Sequence, residues 1–202
     1  MTAPDSPAMR KAREQFAHRC EVLRERLGSE EFLANKGLGN EVGFYLFCYD
    51  PALELEARAF VEGLLRESEA GSLGCRIVLR NLYDVFLGIC ERKRILDKIP
   101  HQEQRRGLDA LVRLLQRSAG VEAFSQAMAY EDHRPGDVVF ITGVGEIYPV
   151  LRLHGLFENL QQAGAFGDVP VVAFYPGHYT GNALSLFSKL PDGNYYRAFN
   201  LV

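Results

Sequence analysis

Asp137-Val-Val-Phe-Ile-Thr-Gly-Val-Gly-Glu-Ile-Tyr-Pro-Val-Leu-Arg-Leu-His-Gly-Leu-Phe-Glu-Asn-Leu160 reads as a buried strand, a tight glycine turn and an amphipathic helix in succession. Val138, Val139, Phe140 and Ile141 form a short unbroken apolar run, the pattern of a strand covered on both faces by helices. Thr142-Gly-Val-Gly145 lets the backbone turn sharply, and Pro149 suits a first helical turn because it has no N–H to leave unpaired. From Leu153, the apolar residues Leu153, Leu156, Phe157 and Leu160 keep a helical period. The stretch predicts an α/β fold: a single three-layer domain over residues 9–202, with a mostly parallel sheet of about five strands.

The same succession recurs upstream. Gly43-Phe-Tyr-Leu-Phe-Cys-Tyr49 reads as the first strand, with Asp50-Pro51 supplying a cap and a first-turn proline for the helix carrying Leu53, Ala57, Phe60, Val61 and Leu64. The outer face of that helix, Glu54 to Glu69, is acidic. Cys75 to Leu79 reads as the second strand, Asn81-Leu-Tyr-Asp84 as its polar corner and Val85 to Lys98 as the helix that follows. Pro100 breaks this helix, and further helical periods around Leu108–Leu115 and Val121–Met128 complete a helical insertion, about residues 85–130, between strands two and three. At the amino end, Met9 to Leu27 has helical spacing and closes at Gly28, residues 1–8 read as a disordered tail, and Asn35 to Glu41 as a loop. Downstream, Val169 to Tyr175 reads as the fourth strand and Pro176 to Asn182 as its exit loop. Leu184 to Leu190 reads as short helical turns, Pro191-Asp-Gly-Asn194 as a turn and Tyr195 to Val202 as a closing strand.

A chain of 202 residues with 47% hydrophobic content suffices for one substantial core. Its net charge of −3 creates no global field toward nucleic acid or an anionic membrane. One local exception is Glu91 to Arg117, with eight Lys or Arg against four Asp or Glu, where direct DNA contact has to be considered beside a solvated helix face. Apolar runs fall short of the ~20 residues of a spanning helix, and the charged first thirty residues do not resemble a signal peptide, so a cytoplasmic location is expected. Cys20, Cys48, Cys75 and Cys90 are widely spaced among apolar neighbours, as core thiols are, and call for neither disulfide nor metal.

Parallel strands deliver their carboxyl ends to one rim, where open α/β sheets bind ligands. There the sequence brings Asp50, Asp84, Thr142 with Gly143 and Gly145, and His178, with Arg152 nearby, as the candidates for ligand or partner binding; Glu146 also lies on or near the following helix. Complete catalytic signatures are missing. No Gly-x4-Gly-Lys-Ser/Thr, Gly-x-Ser-x-Gly or His-Glu-x-x-His occurs. Gly143-Val-Gly145-Glu-Ile-Tyr148 puts Tyr where a dinucleotide fingerprint needs its third glycine. His154, on the same helix face as Leu151 and Phe157, reads as a core histidine or as part of a surface with Arg152, while His178 lacks a paired nucleophile or base. No catalytic residue is assigned and no cofactor is called for.

Several short motifs in fixed order resemble the BrxB family of bacterial BREX phage-exclusion systems, a domain of unknown function. They are Asn35-Lys-Gly-Leu-Gly-Asn-Glu41 with Phe44-Tyr-Leu-Phe47 and Asp50-Pro51; Phe140-Ile-Thr-Gly-Val-Gly145 with Tyr148-Pro149, Arg152 and His154; Phe174-Tyr-Pro-Gly177; and Asn194-Tyr-Tyr-Arg-Ala-Phe199. The resemblance implies a small cytoplasmic accessory component of a multi-protein system that modifies host DNA and blocks phage. It implies binding to a PglZ-type component of the alkaline phosphatase superfamily and contact with other BREX proteins, and brings no established catalytic residues. The competing expectation is an enzyme or nucleotide sensor working at the carboxyl-end rim.

Overall fold

The computed structural model describes residues 6–35, 43–130, 132–180, 183–194 and 198–201. Two helices, α1 (Pro7–Leu27) and α2 (Glu30–Leu33), precede β1 (Phe44–Tyr49), α3 (Glu54–Glu69) and β2 (Arg76–Asn81). Between β2 and the third strand lie α4 (Leu82–Arg92), α5 (Ile99–Arg106), α6 (Leu108–Ser118) and α7 (Val121–Met128). The chain continues as β3 (Asp137–Thr142), α8 (Val144–Ile147), α9 (Leu153–Ala163), β4 (Val171–Tyr179), β5 (Ala183–Leu186), β6 (Leu190–Asn194) and β7 (Ala198–Asn200).

Five strands pair in the order β2-β3-β4-β1-β7, all parallel, and β5 and β6 extend the end of β4 antiparallel. Alternation along the inner strands sends side chains into two cores. Phe47, Tyr49, Val138, Phe140, Val172 and Phe174 meet α1, α2 and α3 on one face. Phe44, Leu46, Cys48, Val139, Ile141, Val171, Ala173 and Tyr175 meet α4, α6, α7, α8 and α9 on the other. Coverage on both faces is why β1 and β3 carry almost no polar residue, whereas the edge strand β2 affords Arg76, Arg80 and Asn81 and is half-buried throughout.

Several boundaries differ from the sequence reading. The first helix starts at Pro7, not Met9, because Ser6 caps it by accepting from Met9 N–H. Pro149 does not open a helix: the chain makes one turn, α8, and resumes as α9 only at Leu153, with Tyr148-Pro149 a cis peptide between them. Proline lacks the N–H a continuous helix would use and disfavours helical backbone at the preceding residue. The expected exit loop at Pro176–Tyr179 is strand. There β4 overruns β1 and finds a new partner in β5, with Gly177, His178 and Tyr179 opposite Leu186, Ser185 and Leu184. Leu184–Leu190 is therefore strand and turn, not helical turns, and Leu190–Asn194 is β6. Counting these two, the sheet has seven strands among the described residues where about five were expected. Residues 1–5 of the expected tail, 36–41 of the expected loop, and 195–197 and 202 of the expected closing strand lie outside the described residues.

At the amino end of β3, Asp137 is a fully buried carboxylate. It accepts from Arg76 Nε at 2.7 Å and Nη2 at 2.6 Å, from Tyr130 Oη at 3.1 Å and from Arg134 N–H at 3.0 Å, tying β2 and the loop before β3 together. Burial alone would raise this carboxyl; the hydrogen bonds from Arg76, the Arg134 N–H and Tyr130 outweigh it and hold it below its ordinary range. Its folded-state value is thus depressed, so its stabilisation is complete above the unfolded value of about 4 and is lost as pH falls through the folded one. Asp137→Asn should lower stability at pH 7 by about 1–3 kcal/mol, the scale for buried donors left without their acceptor. Urea titrations at pH 7 and pH 3 should also show a shallower acid loss in the variant than in the parent chain.

Candidate functional site

The connection from β1 to β2 runs through α3 on one face of the sheet, while those from β2 to β3 and from β3 to β4 run over the other face. Strand order therefore reverses near β1, β4 and β3, and a crevice opens beyond their carboxyl ends. In it lies a cavity of about 190 Å³. Its floor is apolar, formed by Ala57, Val61, Leu65, Leu79 and Phe174, and its polar lining comes from Tyr49, Glu54, Arg58, Glu62, Asn81, Thr142, Gly143 and Glu146.

Helical spacing on α3 supplies one wall. Glu54, Arg58, Val61, Glu62 and Leu65 fall on one stripe, beside the Ala57, Val61 and Leu64 stripe that packs on the sheet. The Tyr49 hydroxyl, at the end of β1, donates to Glu54 Oε2 at 2.6 Å. Arg58 Nε donates to Glu54 Oε1 at 2.9 Å, and its Nη2 crosses the crevice to Glu146 Oε1 on α8 at 2.7 Å. Burial, and then the bond to Glu54, push the Tyr49 phenol up, so it remains a donor at any physiological pH. The hydrogen bonds to Glu54 and Glu146 raise Arg58. Three carboxylates, Glu54, Glu62 and Glu146, line the cavity with one guanidinium, and both oxygens of Glu54 are engaged. Such a lining repels a phosphate and favours a cation or a hydrogen-bond donor.

The glycine corner forms the opposite wall. Gly143 has φ of +76°, and a Cβ added there would sit 2.8 Å from Asn81 Oδ1 and 3.2 Å from Leu82 N. Asn81 is itself committed, because its Oδ1 caps α4 by accepting from Tyr83 and Asp84 N–H at 2.8 and 3.2 Å. Gly145 is close-packed instead: its Cβ would meet the Phe187 ring at 2.9 Å and Pro176 at 3.2 Å. Both glycines thus have architectural reasons to be glycine, and α8 is one short turn.

Of the candidates read from sequence, Thr142 and Gly143 line the cavity and the rest do not; Glu146, which the sequence placed on the following helix, lines it as well. Asp50 accepts from Ala52 N–H at 2.9 Å, capping the turn before α3, and borders a separate hollow against Phe16 and Arg19 of α1. Asp84 is exposed in the first turn of α4. Arg152 lies over the Tyr148 ring and donates through Nη1 to the Pro191 carbonyl at 2.9 Å, bracing β6. His178 is exposed on β4, opposite Ser185. Sequence reasoning missed Tyr49, Glu54, Arg58 and Asn81 as site residues. The available signal was the Glu54/Arg58 spacing of four on a helix starting at a strand end.

Burial pushes the Cys20 and Cys48 thiols up to about 12 and Cys75 to about 11, so they stay protonated. Among the described residues no group of three His, Cys, Asp or Glu is placed to hold a metal ion. No helix among them is long and apolar enough to cross a membrane.

A family model described as "BREX protein BrxB" matches residues 78–201. A BREX protein BrxB of Bacillus cereus (strain H3081.97) is 35% identical over 187 residues, covering 91% of this chain and 96% of that relative. One of Escherichia coli O9:H4 (strain HS) is 31% identical over 186 residues, covering 92% and 90% respectively. No solved structure matches the chain.

Gly143→Val should lower stability by about 1–3 kcal/mol, since a β-branched residue is strained at positive φ. Its Cβ would also press on the Asn81 cap. Gly143→Asn, which tolerates the left-handed region, should recover only part of that loss because the contact with Asn81 persists. Urea melts of both variants measure this ranking, and a native midpoint for the Val variant would contradict it.

Proposed function

Because the chain belongs to the BrxB family of BREX proteins, we propose that it serves phage exclusion as a cytoplasmic adaptor, docking a PglZ-type component of the alkaline phosphatase superfamily through the carboxyl-end rim. One observation carries the choice of surface. Among the described residues the exposed large apolar side chains are Leu55, Tyr83 and Leu108, and two of the three stand in the first turns of the helices that leave this rim. Single exposed apolar residues are ordinary; what matters is that Leu55 and Tyr83 stand at the starts of two helices that leave the rim where the cavity lies. Leu55 precedes Arg58 by three and Glu62 by seven, which puts it beside the cavity-lining stripe, and Tyr83 is exposed in the first turn of the helix that Asn81 caps. Tyrosine beside a concave surface is a recurrent binding anchor.

The alternative of an enzyme or nucleotide sensor draws on the same cavity, but the excess of carboxylates in its lining weighs against a phosphate-bearing ligand. Direct DNA contact would fall to α5 and α6, whose exposed Arg105, Arg106, Arg113 and Arg117 take no part in the cavity lining.

Co-expression with the PglZ-type protein of the same system, followed by size exclusion at micromolar concentration and low salt, tests the proposal. The parent chain should co-elute, and the Leu55→Asp/Tyr83→Ala double variant should elute alone while melting at the parent temperature, since neither side chain is buried. Separate elution of the parent chain would remove the adaptor reading.

A further inference from the structure

We propose that the cavity between α3 and the ends of β1, β2 and β3 receives a basic side chain, arginine or lysine, projecting from the surface of the protein partner. The inference rests on the adaptor reading and specifies the chemistry by which the rim would recognise what docks there.

Charge and shape both point to this occupant. Glu54, Glu62 and Glu146 line the cavity with Arg58 as the one cation of the lining, and the pairing of Glu62 with Arg66 outside it is long, 4.0 Å, and exposed, so the lining keeps an excess of negative charge after its internal ion pairs are counted. A volume of about 190 Å³ is the size of one long side chain. Below the carboxylates the wall turns apolar at Ala57, Val61 and Phe174, all buried. That order, carboxylates at the mouth and hydrocarbon beneath, suits an amphipathic side chain whose methylene stem lies on apolar surface while its head keeps polar contacts. A hydrated inorganic cation would gain nothing from the floor. The Thr142 hydroxyl and the Asn81 side chain add polar groups on the far wall.

The mouth is also built to yield. The Arg58 to Glu146 contact spans the crevice between α3 and α8, and both side chains remain partly exposed, at 50% and 34%. An ion pair of that exposure holds little energy, so an incoming guanidinium can share or take over Glu146 at small cost. Leu55, 77% exposed on α3 and seven residues before Glu62, gives the chain that bears the cation a second, apolar contact. This makes a protein surface, not a free amine, the source of the charge.

Glu62 is the residue to test, because its side chain is 67% exposed and meets only Arg66, at 4.0 Å, so its replacement leaves the fold intact. First, N-acetyl-arginine amide titrated at millimolar levels into the full chain should shift the backbone amide resonances of Asn81, Thr142 and Gly143, whereas N-acetyl-glutamate amide should not. No shift with the arginine probe, or equal shifts with both, would overturn the inference whatever the partner is. Second, affinity for the PglZ-type protein should fall about tenfold or more in Glu62→Lys and by less in Glu62→Gln, with unchanged melting temperatures. If both variants bind as the parent does while Leu55→Asp/Tyr83→Ala does not, docking at the rim stands and insertion of a cation is overturned. If the arginine probe binds at the cavity and the PglZ-type protein does not bind at all, the inference stands and that partner is the wrong one.

Discussion

Pairing of β1 with β4 is the constraint on which the other features depend. Six residues, Phe44 to Tyr49, lie in parallel register against Val171 to Pro176, joining segments from opposite ends of the chain. Closing so long a loop is entropically unfavourable, and the offset comes from burying both strands on both faces, between α1–α3 on one side and α8–α9 on the other. Because β1 leaves through α3 over one face and β3 leaves through α8 and α9 over the other, their union leaves a gap at the carboxyl ends. The crevice is a consequence of topology before it is a property of any residue.

Local chemistry then decides what that gap is like. Gly143, held at positive φ against the Asn81 cap, brings the end of β3 close to the start of α4 and fixes one wall. Tyr49, Glu54, Arg58 and Glu146 form a hydrogen-bonded chain that fixes the other and leaves the lining negatively charged. A phosphate cradle would need the reverse: free backbone donors at a long helix start and a surplus of positive charge. The corner has one turn of helix and a carboxylate, Glu146, within it.

Much of this was legible in the sequence because each inner strand is a short apolar run ended by a polar or glycine corner. The runs at Phe44–Tyr49, Val138–Ile141 and Val171–Tyr175 can hardly be anything but doubly covered strands, which is enough for a mixed α/β fold with a mostly parallel sheet. What escaped was set by tertiary partners. Pro176-Gly-His-Tyr179 has loop composition, yet it is strand because β5 lies alongside, and Gly177 allows the approach: a Cβ there would be 2.1 Å from the Ser185 carbonyl oxygen. Ala183–Leu186 is too short for any period to be read. At the site, Thr142 and Gly143 were identified because strand ends in such sheets converge. Glu54 and Arg58 were not, since on a helix with an acidic outer face they look like ordinary solvated charges until Tyr49 and Glu146 are placed beside them. Asp50 failed for the opposite reason: its position at a strand end suggested a site, and the carboxylate is used as a cap.

Membership of the BrxB family covers nearly the whole chain, so the rim, α3 and the glycine corner all lie within the part shared with the curated relatives. On the proposed reading this rim, rather than the basic α5–α6 surface, is the face presented to a BREX partner. Hydrogen–deuterium exchange of the chain alone and in the presence of the PglZ-type protein measures that most directly. The expected result is slowed exchange at three separate segments that meet only in the fold, residues 50–58, 79–84 and 142–147. Slowed exchange confined to α5 and α6, with those three segments unchanged, would contradict it.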